Sequence, residues 1–427
     1  MNILLINHYA GSPQYGMEYR PYYMAREWVK LGHRVTIVAA SFSHLRQNAP
    51  DAPGDATEQW LDGIRYLWLK TPRYNGNGVG RVVNIFSFVA QLFRNRRRLL
   101  RESRPGVVIA SSTYPLDNLP ACRIARSCGA MLIYEVHDIW PLSPIELGGM
   151  SPWNPFIMLM QWAENFAYRN ADHVVSILPL AESHMRAHGL AEGKFVHIPN
   201  GIDPVEWESA AESLPREHEA TLTRLKEQRR FIVMYAGGHG VSNALDSFVK
   251  AAPLLRITPA TLVLVGQGPE KARLQKMASE LNVDNLVFLP PVPKTAMPAL
   301  LALADVLYLG WARTPLYRFG IGPNKLLDYM MAARPVIHAV DAGNDLVAES
   351  GCGLSCAAET PAAIAAAVTE LMQQTPAARD ALGQRGREYV IQRHSYSILA
   401  NQFLAVTAQS RSASEATPGT LQTDNRH

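Results

Sequence analysis

Lys325 and Asp328 stand three positions apart in Gly322-Pro323-Asn324-Lys325-Leu326-Leu327-Asp328, where Gly322 and Pro323 end one segment and prepare the first turn of a helix. A lysine at a helix start can face a diphosphate as a point charge, and a carboxylate one turn later can accept hydrogen bonds from ribose hydroxyls. Cation and carboxylate would then read two parts of one nucleotide, with Asn324 opening the same turn. The other reading is a surface lysine and aspartate paired at helical spacing, and spacing alone does not choose.

Two glycine-rich turns add to this. Phe231 to Tyr235, a strand-like run, leads into Ala236-Gly237-Gly238-His239-Gly240 and then a helix expected from about Ala244. Glycines let backbone approach a ligand closely, and the next helix offers free amides and the positive end of its dipole to an anion such as phosphate. Gly266-Gln267-Gly268-Pro269 repeats the arrangement after Thr261 to Val265 but lacks the third glycine of a dinucleotide fingerprint. Each also reads as an ordinary tight turn, the second with proline at the first helical position.

In the first half, Met131 to Tyr134 ends in Glu135-Val136-His137-Asp138. A histidine and carboxylates just after a parallel strand lie at the edge where such sheets bind ligands, so His137 can hydrogen-bond a sugar hydroxyl or position an acceptor. Gly16, Glu18 and Arg20 follow the first strand. Glu18 can pair with an acceptor hydroxyl, and Arg20 with a phosphate or with Glu18 in a salt-bridged helix start.

From Arg81 to Arg104, Val82, Ile85, Phe86, Val89, Leu92 and Phe93 recur at helical spacing beside Arg94, Arg96, Arg97, Arg98, Arg101 and Arg104. An apolar face next to clustered arginines suits an anionic membrane surface or a lipid pyrophosphate, and equally a core helix with a solvated end.

These groups need a scaffold to position them. At 427 residues the chain exceeds what one hydrophobic core usually serves, and 48% hydrophobic with 18% charged residues suits packed domains. Strand-like runs at Ile3 to Ile6, Val35 to Ala39, Val107 to Ala110, Met131 to Tyr134, His173 to Ile177 and Phe195 to Ile198 alternate with helical segments. They resume at Phe231 to Tyr235, Thr261 to Val265, Leu286 to Leu289, Val306 to Leu309 and Pro335 to Ala339. That alternation predicts two doubly wound α/β domains with parallel sheets, and ligands at the carboxyl ends of their strands, in a cleft between them. The expected boundaries are an amino-terminal domain over 1–200, a polar linker over 201–230, a carboxy-terminal domain over 231–394, a last helix over 395–408 and a disordered tail over 409–427.

The formal charge of +4 is too small to imply nucleic-acid binding. Cys122, Cys128, Cys352 and Cys356 lack zinc-site spacing and read as buried free thiols of a reducing compartment. The start carries no basic leader, and no apolar run reaches the roughly 18 residues of a membrane span. The expectation is a cytoplasmic protein, peripheral on the inner membrane face if the arginine cluster docks there.

Taken together, the ordered stretches resemble glycosyltransferase family 4, the retaining enzymes with the GT-B fold. They are the Gly16 loop with Gly32-His33-Arg34-Val35, Val136-His137-Asp138, Ile198-Pro199-Asn200-Gly201-Ile202-Asp203, Tyr235-Ala236-Gly237, Leu264-Val265-Gly266-Gln267-Gly268-Pro269, and Pro323-Asn324-Lys325-Leu326-Leu327-Asp328 with Pro335-Val336. The resemblance implies a nucleotide-sugar donor held by the second domain, with Gly237, Gly238, Gly240, Gly268, Asn324, Lys325 and Asp328 around it. It implies an acceptor on the first, near Gly16, Glu18, Arg20 and Asp138, and a last helix that returns to the first domain. His137 and Lys325 become the catalytic candidates, the donor is expected to be a UDP-sugar, and neither cofactor nor metal is expected. Two departures stand out: the family's first glutamate falls at Gly320, with Asp328 in place of the second, and His239 to Asn243 carries neither the usual arginine nor the usual lysine. The variant resembles a bacterial O-antigen and capsule branch that includes N-acetylfucosamine transferases, which implies a polyprenyl-diphosphate-linked acceptor. A nucleotide-sugar epimerase of the same fold and a non-catalytic nucleotide-sugar-binding subunit are the competing readings.

Overall fold

The computed structural model describes residues 1–76, 78–209 and 212–415, the last seven of these by backbone alone. The chain forms two compact units. One comprises 1–177, 181–198 and the segment from Tyr396 onward; the other comprises 178–180 and 199–395.

The first unit is built on an eight-stranded sheet: β1 (Asn2–Ile6), β2 (Arg34–Ala40), β3 (Ala56–Leu61), β4 (Ile64–Leu69), β5 (Val107–Ala110), β6 (Met131–Val136), β7 (His173–Ser176) and β8 (Phe195–His197). Their order is β3-β4-β2-β1-β5-β6-β7-β8, parallel except that β3 runs antiparallel to β4. The inner strands are mostly apolar because helices cover both faces of a parallel sheet, with Thr36, Glu135 and Ser176 among the buried polar exceptions. The β3–β4 hairpin is an addition to the strands expected from sequence. Asp62 and Gly63 both adopt positive φ (49° and 77°), as a two-residue hairpin turn requires.

The second unit has six parallel strands: β9 (Phe231–Ala236), β10 (Ala260–Val265), β11 (Leu286–Leu289), β12 (Val306–Gly310), β13 (Val336–Ala339) and β14 (Gly353–Cys356), in the order β11-β10-β9-β12-β13-β14. In both sheets the chain winds outward on one side and then returns to begin the other. The reversal lies between β1 and β5 in the first unit and between β9 and β12 in the second. Those switch points are where open α/β sheets leave a crevice at their strand ends.

Three expectations change. The polar stretch 201–230 is no linker, because its helix Arg216–Glu227 buries Leu222 and Leu225 in the second unit's core. The last helix spans Tyr396–Glu415, so 409–415 is helical, and 416–427 lies outside the described residues. Of the four thiols, all free, Cys128 is exposed and Cys356 half-buried.

The last helix belongs to the first unit, as expected. Tyr396 stacks on Tyr23 at 4.8 Å between ring centroids, Phe403 meets Trp28 edge-on at 5.2 Å, and the Trp28 indole N–H donates to the Ala400 carbonyl at 3.2 Å. Burial of side chains this size contributes about 1.5–3 kcal/mol each. Among the described residues no helix is long and apolar enough to cross a membrane.

Candidate functional site

In the second unit the residues singled out from sequence gather at the β9/β12 switch point. Lys325 lies in the first turn of the helix Asn324–Met331, and its half-buried Nζ donates to Asn243 Oδ1 at 3.0 Å and sits 5.5 Å from the centre of the Tyr235 ring. Burial lowers its pKa. The stem of Lys325 crosses directly over Gly237: a Cβ there would lie 2.4 Å from Lys325 Cε. Glycine at 237 is therefore the condition for the ammonium to reach the turn.

The two glycine turns interlock. A Cβ on Gly266 would come within 1.9 Å of the Gly237 carbonyl oxygen, and one on Gly268 within 2.4 Å of the His239 carbonyl oxygen. His239 N–H donates to the Gln267 carbonyl at 2.9 Å, and Lys271 Nζ donates to the Gly266 carbonyl at 2.9 Å. The Gly237 amide is committed to Val265, whereas the amides of Gly238 and Gly240 have no protein acceptor among the described residues. An ammonium group and two unclaimed amides beside it can hold an anion. The turn does not lead straight into a helix. A 3-10 turn, Val241–Asn243, intervenes before Leu245–Ala251, so Asn243 side-chain groups, rather than the helix end, line the turn. Pro269 likewise precedes the helix Lys271–Glu280 instead of opening it.

Asp328 follows one helical turn after Lys325 and is half-buried. Burial raises its carboxyl to about 6, against the opposing pull of Lys294. It is not paired with Lys325, so the surface-pair reading falls away. Asn324 is exposed at the helix start, and Asn200, from the Pro199-Asn200-Gly201 stretch, donates to the Gly322 carbonyl at 2.9 Å and so holds that start in place. His239 is fully buried with no hydrogen-bond partner of good geometry on either ring nitrogen. Burial, then Lys271 and Lys325, bring its pKa to about 4, so it is neutral near pH 7. Gly320 has φ +96°, and a Cβ would lie 2.5 Å from Pro179 Cδ and 2.9 Å from Asn344 Oδ1. No carboxylate-bearing residue fits there without rearrangement.

In the first unit the β1/β5 switch point carries a buried polar chain. Glu135, near the end of β6, accepts from Arg20 Nε at 3.0 Å and from Ser111 Oγ at 2.6 Å. His137 Nε2 lies 2.9 Å from the same Ser111 oxygen and 3.4 Å from Glu135. Asn7 Nδ2 also donates to Ser111 Oγ at 3.1 Å. Since the Ser111 hydroxyl proton goes to the carboxylate, its oxygen accepts from His137, which puts a proton on Nε2 and leaves Nδ1 the atom for a ligand. Burial alone would raise the Glu135 carboxyl, but Arg20, His137 and Ser111 hold it well below the usual carboxylate range.

Four first-half expectations are redrawn by these positions. Arg20 is buried, turned onto Glu135 and the Ile198 carbonyl at 3.0 Å, and makes no ion pair with Glu18. Asp138 accepts from the Ser143 hydroxyl and serves the local turn, and burial raises its pKa. Gly16 donates its amide to Ser12 at 2.8 Å, its φ of +94° setting the loop's shape. Arg98 joins a surface network with Glu102 (3.1 Å), and Arg101 reaches Glu102 at 3.4 Å. Glu18 remains half-buried, without an ion pair among the described residues. Arg94, Arg96 and Arg97 likewise make none. Sequence reasoning passed over Asn243 and Ser111, polar residues in turns with nothing local to mark them.

Two Rossmann-like parallel-sheet units, each with its polar cluster at the switch point, place this chain among proteins of the GT-B fold. Residues 15–201 match the glycosyl transferase 4-like domain and residues 230–374 the glycosyl transferases group 1 domain, so the chain belongs to the glycosyltransferases built from this pair. It is 25% identical over 297 residues to WcaI of Escherichia coli (strain K12), named as a colanic acid biosynthesis glycosyl transferase, covering 65% of this chain and 69% of that one. Among solved structures it resembles sucrose-phosphate synthase from Thermosynechococcus elongatus, with TM-score 0.73, 16% identity, and 97% and 100% of the two chains covered. Anabaena HepE in complex with UDP-glucose gives TM-score 0.65 at 15% identity, over 96% and 100% of the chains.

Proposed function

We propose that this glycosyltransferase moves a hexosyl or N-acetylhexosaminyl residue, with retention, from a nucleotide-diphosphate donor, UDP by preference, to a glycan or polyprenyl-diphosphate-linked acceptor of cell-surface polysaccharide synthesis. The observation that carries it is Lys325: its stem crosses over Gly237 and its ammonium is tied to Asn243, in the turn that holds the unclaimed amides of Gly238 and Gly240. HepE binding UDP-glucose and the name given to WcaI support the donor class and the pathway class.

Breaking the anomeric bond leaves negative charge on the departing diphosphate and positive charge on the sugar. Lys325 and the two amides neutralise the first from fixed positions, which favours the transition state over the ground state. Asp328 accepts from ribose hydroxyls, and Gly268 lets the two glycine turns close on each other beside the donor. The acceptor hydroxyl attacks on the face the diphosphate leaves and passes its proton to a diphosphate oxygen. His137 holds a sugar hydroxyl through Nδ1. In this reading the cation at the leaving group is the lysine. Transfer from radiolabelled UDP-sugars to lipid-extracted acceptors tests it: product with retained anomeric configuration, lost in Lys325→Ala, is expected, and unimpaired transfer by that variant would reject the assignment.

The helix Val79–Ser103 supports a peripheral membrane contact. Ile85, Phe88, Val89 and Leu92 face the core, while Val79, Val83, Phe86 and Phe93 form a second, exposed stripe that continues into exposed Arg97. Apolar and basic surface in line suits an anionic interface. The non-catalytic reading draws on Gly320, where the space for a carboxylate is closed; donor binding without transfer to any acceptor would favour it.

A further inference from the structure

The helix Pro155–Asn170 and the segment from Glu182 to His188 place Glu164, His184 and His188 together, with one ligand atom from each lying within 4.8 Å of the others. We propose that they bind one divalent transition-metal ion of zinc type, joining the two helices, at a site separate from the sugar-transfer chemistry.

Three features beyond proximity point to a metal. The histidines are four residues apart, the spacing that stacks two imidazoles on one helical face, and their rings are 4.2 Å apart. His188 Nδ1 donates to the His184 carbonyl at 2.9 Å; a carbonyl only accepts, so the proton is on Nδ1 and Nε2 offers its lone pair. Metal-bound histidines are fixed in this way. Glu164 is fully buried and oriented by two donors, Tyr168 hydroxyl to Oε1 at 2.9 Å and Gln161 Nε2 to Oε2 at 2.7 Å. At present His184 Nε2 meets Glu164 Oε1 at 3.0 Å. A metal takes the place of that hydrogen bond, with the His184 proton on Nδ1. Bonds of about 2.0–2.2 Å imply ligand atoms roughly 3.3–3.5 Å apart, so atoms now within 4.8 Å of one another need to close by up to about 1.5 Å. Two imidazoles and one carboxylate suit zinc, and a water fills the fourth position.

The test uses the full-length, untagged chain after chelator treatment, titrated with Zn²⁺ against a chromophoric chelator and with Co²⁺ by visible absorption. One equivalent is expected, with a rise in Tm and the intense ligand-field bands of tetrahedral Co²⁺. Loss of an outer partner typically weakens such sites by roughly 10–100-fold, and a direct ligand costs no less, so His188→Ala should lose at least that much. His188 is half-buried, and the variant's metal-free melting should match the parent, separating ligand loss from misfolding. Tyr168→Phe should show a smaller loss. No stoichiometric binding by the parent, or equal binding by His184→Ala and His188→Ala, would overturn the proposal.

Discussion

Lys325 donates to Asn243 across 82 residues of sequence, and the bond sets an ammonium against the turn after β9. The lysine comes from a helix start and the asparagine from a 3-10 turn, so neither element alone makes the cluster.

Replacing Lys325 with alanine should lower kcat on the order of 10²–10³-fold, the usual cost of removing one preorganised transition-state donor, about 2.7–4 kcal/mol. Asn243→Ala should cost about tenfold, because the cation remains but is no longer held. Steady-state kinetics with a saturating UDP-sugar checks both.

Gly237→Ala and Gly266→Ala should fail differently. The new methyl at 237 meets the Lys325 side chain at 2.4 Å on a backbone of φ +156° that L-residues rarely adopt, so activity falls by more than the accompanying loss of stability explains. At 266 it meets backbone at 1.9 Å, where nothing can yield, and a loss of roughly 1–3 kcal/mol is expected by equilibrium unfolding.

Asp328 gives donor binding a pH dependence. Its folded pKa of about 6 lies above the unfolded value, so ionising it opposes folding as pH rises through that window, and its presence costs stability at pH 7. Asp328→Asn should therefore raise the Tm of the ligand-free protein while weakening UDP binding. In the parent, UDP-sugar affinity should fall as pH drops below about 6, and calorimetric titration should find that fall absent in the variant.

The Arg20–Glu135 pair should matter for folding. Removing Arg20 strands a buried carboxylate, and breaking such a pair costs about 3–5 kcal/mol. Arg20→Met should lower unfolding stability by that order, and the double variant Arg20→Met with Glu135→Gln should recover part of it.

The central strand β5 was legible at its observed limits because burial on both faces leaves an unbroken apolar run. The edge strand β3, Ala56–Leu61, carries Thr57, Glu58 and Gln59 in a row and so shows neither an apolar run nor a polar–apolar alternation, although Asp62-Gly63 is a readable turn signal. The places of Lys325 and His137 in the fold were legible because one opens a helix and the other follows a strand, and Asp328 lies one helical turn after Lys325. The direction of Arg20 was not: its partner lies 115 residues away, and only the pairing of β1, β5 and β6 brings them together.

The helix Tyr396–Glu415 has a consequence for synthesis. It supplies Tyr396, Phe403 and the carbonyl that Tyr23 and Trp28 pack against, yet leaves the ribosome after the whole second unit. The second unit is thus free to fold co-translationally from one nearly continuous stretch. The first must wait, with the aromatic surface around Trp28 open to chaperones, until its last piece emerges.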